Sequence, residues 1–233
     1  MRHQKGFESV VSEIDPGTQP GTDAEGQAEV HVSKHTLRQS ILAVRARLTA
    51  GDAAEMSEVL AERALELPEL TEAGTVAAYV SVGREPGTRP LLDALRERGV
   101  HVLLPVLLPD NDLDWAEYAG ADQLAPAARG LLEPGGPRLG PGAVTEADAV
   151  LLPGLAVDGD GMRLGRGGGS YDRVLARISA AGVRPVLAVL LYDAELVGSV
   201  PTEPHDLPVS VAVTPSEVRR FAAPPPHGAA DTE

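Results

Sequence analysis

The chain has 233 residues, 43% of them hydrophobic and 23% charged, the make-up of a globular protein long enough to bury one ordinary core. Its 34 acidic and 20 basic side chains give a net charge of −14, which excludes the broad basic surface that nucleic-acid binding needs, though not a small anion pocket. There is no cysteine, so disulfides, thiol nucleophiles and thiolate metal sites are excluded.

Residues 1–32 mix Gly, Asp, Glu, Gln and Thr with little periodicity and are expected to form a disordered extension. The tail 222–233, with Pro224-Pro225-Pro226, reads the same way. Residues 1–30 hold two bases and six acids and residues 222–233 two acids, so the tails carry six of the fourteen net negative charges. The opening MRHQKGFESVVSEIDPG lacks the apolar run of a signal peptide, and no stretch reaches the ~18 apolar residues of a membrane span. A cytoplasmic protein with no membrane partner is the expectation.

A single ordered domain is expected over 33–221. Ser33 is placed to cap a helix whose apolar stripe is Leu37, Ile41, Val44 and Leu48. Gly51 is expected to break it. Asp52 with Glu55 three residues on then suggests a capped second helix with Met56, Val59, Leu60, Ala64 and Leu67 on its apolar face, ended by Pro68. Thr75–Val80 and Val100–Leu104 read as short buried strands, the second closed by Pro105, with a helix over Pro90–Arg98 between them. Leu113–Tyr118 alternates like a half-exposed strand, and Ala149–Leu152 reads as a fully buried one. A helix over Ser170–Ala181 and strands over Val186–Leu191 and Val209–Val213 complete the order. Strands separated by helices predict an α/β fold: one domain with a central mainly parallel sheet flanked by helices, and a helical pair at its N-terminal end.

The most informative stretch is Leu151–Leu175, LLPGLAVDGDGMRLGRGGGSYDRVL. A buried strand runs into a loop holding Gly159, Gly161, Gly165, Gly167, Gly168 and Gly169, and the loop feeds a helix. Glycines let the backbone approach an anion and turn several N–H groups toward it, and the helix N-terminus adds a favourable dipole. Arg163 and Arg166 add full positive charge. The pattern suits phosphate, but it is neither a P-loop, which would continue Gly-Lys-Ser/Thr, nor a dinucleotide-binding GxGxxG, from which the strand lies too far upstream. Composition alone also permits an elaborate turn.

Leu152-Pro153-Gly154-Leu155-Ala156-Val157-Asp158 followed by Arg163-Leu164-Gly165-Arg166-Gly167-Gly168-Gly169-Ser170-Tyr171-Asp172 resembles the signature of the 5-formyltetrahydrofolate cyclo-ligase family. Four more stretches resemble that family in the same order: Lys34–Arg38, Tyr79–Thr88, Gly130–Pro134, and Glu203-Pro204-His205-Asp206 with Val209–Val213. The resemblance covers essentially residues 33–215.

It implies an ATP- and Mg2+-dependent ring closure of 5-formyltetrahydrofolate to 5,10-methenyltetrahydrofolate in folate one-carbon metabolism, with a reduced folate as small-molecule partner and a monomeric protein. Positions matching the family's ATP site are Lys34, Arg38, Arg163, Gly165, Arg166, Gly167, Gly168, Gly169, Ser170, Tyr171 and Asp172. Lys34 and Arg38, four residues apart, share one helix face. Arg166 and Tyr171 are the catalytic candidates. Val80 and Glu85 match folate-contacting positions, and Asp172 and Asp206 match magnesium ligands, hard oxygen donors that suit the ion. Two positions depart from the family. Ser170 stands where many members carry a tyrosine, and Arg129 where they often carry an aromatic, which sets a cation within reach of a folate's glutamate tail. The alternative is a repurposed, non-catalytic relative that binds ATP or folate. Taken singly, Lys34 and Arg38 also suit a solvated helix face, and Asp172 a first-turn acid that complements a helix dipole.

Overall fold

The structure, a computed structural model, describes residues 33–203 and 206–222. The extension expected over 1–32, the tail beyond Ala222, and Pro204 and His205 lie outside them.

Helix α1 spans Lys34–Arg47, capped by the Ser33 hydroxyl on the Thr36 N–H. The break that follows differs from expectation. Helix α2, Ala50–Ala64, starts one residue after Thr49, whose side chain accepts from the Asp52 N–H while the Asp52 carboxylate accepts from the Thr49 N–H. Asp52 is thus the last residue of a capping box, at the third position of the helix, rather than its first, and Gly51 lies inside the helix. Pro68, expected to end this helix, instead opens a separate single turn, α3, Pro68–Thr71. It suits that place because its missing N–H would have had no partner.

A seven-stranded sheet follows, with β1 Thr75–Ala77, β2 His101–Leu107, β3 Leu113–Glu117, β6 Ala149–Leu152, β9 Val186–Leu190, β10 Val211–Val213 and β11 Val218–Arg220. Its order is β11-β10-β9-β6-β1-β2-β3. The five inner strands are parallel, and β3 and β11 close the edges antiparallel. Pro105 lies inside β2 instead of ending it. Tyr118 donates to the Val102 carbonyl, so the even-numbered residues of β2 bond to β3 and Pro105 faces the β1 side. There β1 stops pairing at Leu103, and the missing N–H forfeits no ladder bond.

Helix α4, Arg89–Glu97, connects β1 to β2, and α5, Ser170–Ala180, precedes β9. Strand residues alternate between two cores. Val76, Val102, Leu104 and Leu151 pack with Leu60 of α2, Leu70 of α3 and Leu91, Leu92 and Leu95 of α4. Ala77, Leu103, Val150 and Leu152 pack on the other face with Val174, Leu175 and Ile178 of α5. This is the expected α/β architecture.

Also unread in the sequence were β11 and two small antiparallel pairs. These are β4 Leu124–Pro126 with β5 Leu132–Pro134, and β7 Ala156–Val157 with β8 Arg163–Leu164. Helix α1 contributes to a third, smaller cluster. Its Ile41 packs with Leu155, Ala156 and Leu164 of the β7–β8 hairpin. No helix among the described residues is long and apolar enough to cross a membrane.

Candidate functional site

From β1 the chain moves outward to β2, and from β6 it moves the opposite way to β9. The order reverses between β1 and β6, so their outgoing loops diverge and leave a crevice beyond the C-terminal strand ends. A cavity of about 310 Å³ opens here. Its walls include Tyr79 and Val80 after β1, Pro105 and Leu107 in β2, and Pro153 after β6.

The loop after β6 is built from its base. The Asp158 carboxylate, 5% exposed, accepts from the N–H groups of Asp160 (3.0 Å), Met162 (2.9 Å) and Val200 (2.9 Å). This signature residue therefore shapes the loop. Beyond β8 the chain passes Gly167 (φ +89°) and Gly169 (φ +78°), the second being the N-cap of α5. Both conformations suit glycine and are strained for an L side chain.

Val80, Glu85, Arg163 and every residue from Gly165 to Asp172 line the cavity. Arg163 is almost enclosed, with 7% of its side chain exposed. It donates to the Pro153 carbonyl at 2.9 Å and reaches Asp172 Oδ1 at 3.4 Å, while its Nε has no partner among the described residues. Burial lowers its pKa, but a guanidinium stays charged at neutral pH. Arg166 is half exposed and pairs with Glu85, Nε to Oε1 at 3.1 Å. Glu85 also accepts from the Val82 N–H at 2.8 Å, so one carboxylate joins the loop after β1 to the glycine-rich loop.

The Tyr171 hydroxyl is buried and has no partner among the described residues. Burial, then the charge of Glu85, raises its pKa, so it is a neutral donor at physiological pH. Burial likewise raises Tyr79 well above the ordinary phenol value.

Lys34, Arg38 and Asp206 stand outside this lining; Arg38 adjoins it through Gly165, and Asp206 through a second cavity that Arg163 and Asp172 share. Arg38 Nε donates to the Gly165 carbonyl at 2.8 Å, and a Cβ on Gly167 would come within 3.4 Å of its guanidinium carbon. Lys34 Nζ lies 2.9 Å from Asp206 Oδ2 and 3.3 Å from Glu203 Oε2. Burial lowers its pKa, yet bonding and attraction to these two carboxylates outweigh that and raise it. Asp206, Asp172 and Arg163 border a second cavity of about 170 Å³. No group of three or more His, Asp or Glu able to hold a metal occurs among the described residues.

Sequence reasoning missed the brace behind α1. Arg45 (2% exposed) bonds Glu195 (4% exposed) at 2.6 and 2.9 Å and the Gly154 carbonyl at 2.9 Å. Glu195 also accepts from the Tyr192 N–H at 3.0 Å, and the guanidinium lies 5.8 Å from the Tyr192 ring centre. Arg45 lies four residues after Ile41 and so on the apolar stripe, which was the one available hint.

An open, mainly parallel sheet covered on both faces, with a glycine-rich loop and a largely apolar cavity at its switch point, defines an α/β protein with its crevice where folds of this class receive small ligands. The 5-formyltetrahydrofolate cyclo-ligase family matches residues 30–215, and the chain belongs to that family. It is 47% identical over 146 residues to 5-formyltetrahydrofolate cyclo-ligase of Mycolicibacterium smegmatis, covering 60% of this chain and 73% of the relative. To the Escherichia coli protein of the same name it is 34% identical over 176 residues, covering 75% and 96%. The solution structure of 5,10-methenyltetrahydrofolate synthetase from Aquifex aeolicus superposes with a TM-score of 0.69 at 28% identity, covering 85% of this chain and 99% of that one.

Proposed function

We propose that this protein closes 5-formyltetrahydrofolate to 5,10-methenyltetrahydrofolate, consuming ATP and releasing ADP and phosphate. The observation that carries this reading is the cavity at the switch point. One side is glycine-rich backbone with Arg163 and Arg166, and the other is apolar wall, so a polyphosphate and a flat ring system can meet in one space.

A formyl oxygen is a poor leaving group. Attack by that oxygen on the γ-phosphorus forms an O–P bond and breaks the bond to ADP, giving an imino-phosphate. The folate N10 then adds to the activated carbon and loses its proton. The C–O bond breaks and phosphate leaves. Such chemistry depends on alignment and charge neutralisation. The backbone of Gly165–Gly169 and the side chains of Arg166 and Arg163 would neutralise the phosphates, with Lys34 and Arg38 delivered beside them by α1. Ser170, at the start of α5, would offer its N–H to the same anion. Val80 and Glu85 would hold the folate. Tyr171, neutral and unpaired, would donate to an oxygen that gains charge.

Asp172 and Asp206 border one cavity and supply hard oxygen donors, which fits Mg2+, an ion that takes one or two carboxylates and completes its shell with phosphate and water. When bound, the ion would offset phosphate charge.

The experiment is direct. Purified protein is mixed with 5-formyltetrahydrofolate, ATP and Mg2+, and methenyl-folate is followed by its near-ultraviolet absorbance. Product that requires all three supports the proposal. No product from folded protein that binds ATP would instead favour a repurposed relative.

A further inference from the structure

Among the described residues only two that are not glycine have positive φ, Asn111 at 65° and Arg129 at 58°. They are bonded to each other, Arg129 Nη2 donating to Asn111 Oδ1 at 2.9 Å. Left-handed backbone is ordinary for an Asn in a turn, as Asn111 is between β2 and β3, but uncommon for an Arg, so the loop around Arg129 holds that side chain against its own backbone preference. Arg129 lines the switch-point cavity and is exposed. The other two arginines of that lining each face a carboxylate, Arg163 with Asp172 and Arg166 with Glu85. Arg129 faces only a neutral amide and has no carboxylate partner among the described residues.

The clasp is tied to the body of the site. Asp112, beside Asn111, accepts from Arg177 of α5 at 3.3 and 2.6 Å, and Arg173 of the same helix donates to the Asp110 carbonyl at 2.7 Å. Helix α5 is the one that the glycine-rich loop feeds. Arg129 is therefore held, through Asn111, to the element that organises the phosphate end, and less side-chain freedom is lost when it binds.

We infer that Arg129 is a specificity determinant that grips the carboxylates of the substrate's glutamate tail. The inference rests on the folate reading above. A folate has an aromatic body that suits the apolar wall and ends in carboxylates far from its formyl group. A held guanidinium at the cavity mouth, with donors to spare, matches that end by charge-assisted bonds.

The test compares 5-formyltetrahydrofolate with 5-formyltetrahydropteroate, which keeps the reacting rings and lacks the glutamate. Arg129→Ala and Arg129→Gly are assayed beside wild type; glycine tolerates the positive φ, so its backbone stays unstrained. Both variants should raise KM for the glutamate-bearing substrate about tenfold, leave its kcat nearly unchanged, and leave both constants for the tail-less substrate as in wild type. Arg129→Lys should fall between. Equal changes on the two substrates, or none on either, would overturn the inference while the folate reading stands. A wild-type protein that turns over neither substrate would overturn the folate reading, and this inference with it.

Discussion

Two Arg–Glu pairs join distant segments of this protein, and they occupy opposite environments. Beneath α1, Arg45 and Glu195 are nearly shut from water and bond through two nitrogens and two oxygens, with a backbone carbonyl and a backbone N–H as further partners. Arg45 Nη1 is buried with no partner among the described residues. At the cavity, Arg166 touches Glu85 once, at 3.1 Å, with 54% of the arginine side chain exposed. Removing one partner of the enclosed pair strands a charge in a poor solvent. Opening the other leaves the arginine in water, where a phosphate can take it, and leaves Glu85, 11% exposed, accepting from the Val82 N–H. The enclosed pair builds the frame that presents α1, and the open pair is free to exchange partners with a ligand.

The largest effect that tests this contrast is Arg45→Ala. It should lower folding stability by about 3 to 5 kcal/mol in chemical denaturation, and the double change Arg45→Met with Glu195→Leu should recover most of that loss. An Arg45→Ala variant as stable as wild type would erase the distinction. Arg166→Ala should do the converse: turnover with ATP falls at least about tenfold, equivalent to roughly 1.4 kcal/mol of transition-state stabilisation, while stability stays within about 0.5 kcal/mol. Wild-type kinetics would remove Arg166 from the chemistry.

Gly167→Ala probes the seam between frame and mouth. A side chain at φ +89° costs about 1 to 2 kcal/mol and presses on Arg38, so KM for ATP should rise several-fold in steady-state assays.

The smallest effect belongs to an intermediate pair, Arg177–Asp112, with side chains 27% and 15% exposed. Burial raises the Asp112 pKa, but the Arg177 bond and the Leu113 N–H outweigh it, so the folded value lies below the ordinary 3.8. A lowered carboxyl pKa contributes stability that is present above pH 3.8 and lost as pH falls through the folded value. Asp112→Asn should therefore be less stable than wild type by about 1 kcal/mol at pH 7, and the gap should close toward pH 2 in denaturant titrations.

Much of this architecture was legible because it rests on local signals. Buried strands such as Ala149–Leu152 are continuous apolar runs, α5 ends where Gly182 permits φ +70°, and the glycine-rich signature is contiguous. What escaped depends on tertiary partners. Glu195 lies 150 residues from Arg45 along the chain, and no periodicity announces such a match. The β4–β5 and β7–β8 pairs are two or three residues long, too short for alternation to register. Pro105 reads as a strand end until β1 is known to stop short of it. At the site, sequence brought out the glycines, Arg166 and Glu85 but not their contact, and it gave Asp158 no role although its carboxylate organises the loop base.

That carboxylate sets the mechanical character of the loop. Asp158 clamps the turn below, the β7–β8 ladder and the Leu155-to-Leu164 bond fasten both sides, and Arg38 pins the carbonyl of Gly165. Between that point and the first turn of α5 lie Arg166, whose side chain pairs with Glu85, and Gly167 to Gly169. So short a span between fixed ends has little slack, and the position it offers an anion is set by Asp158 and the other anchors.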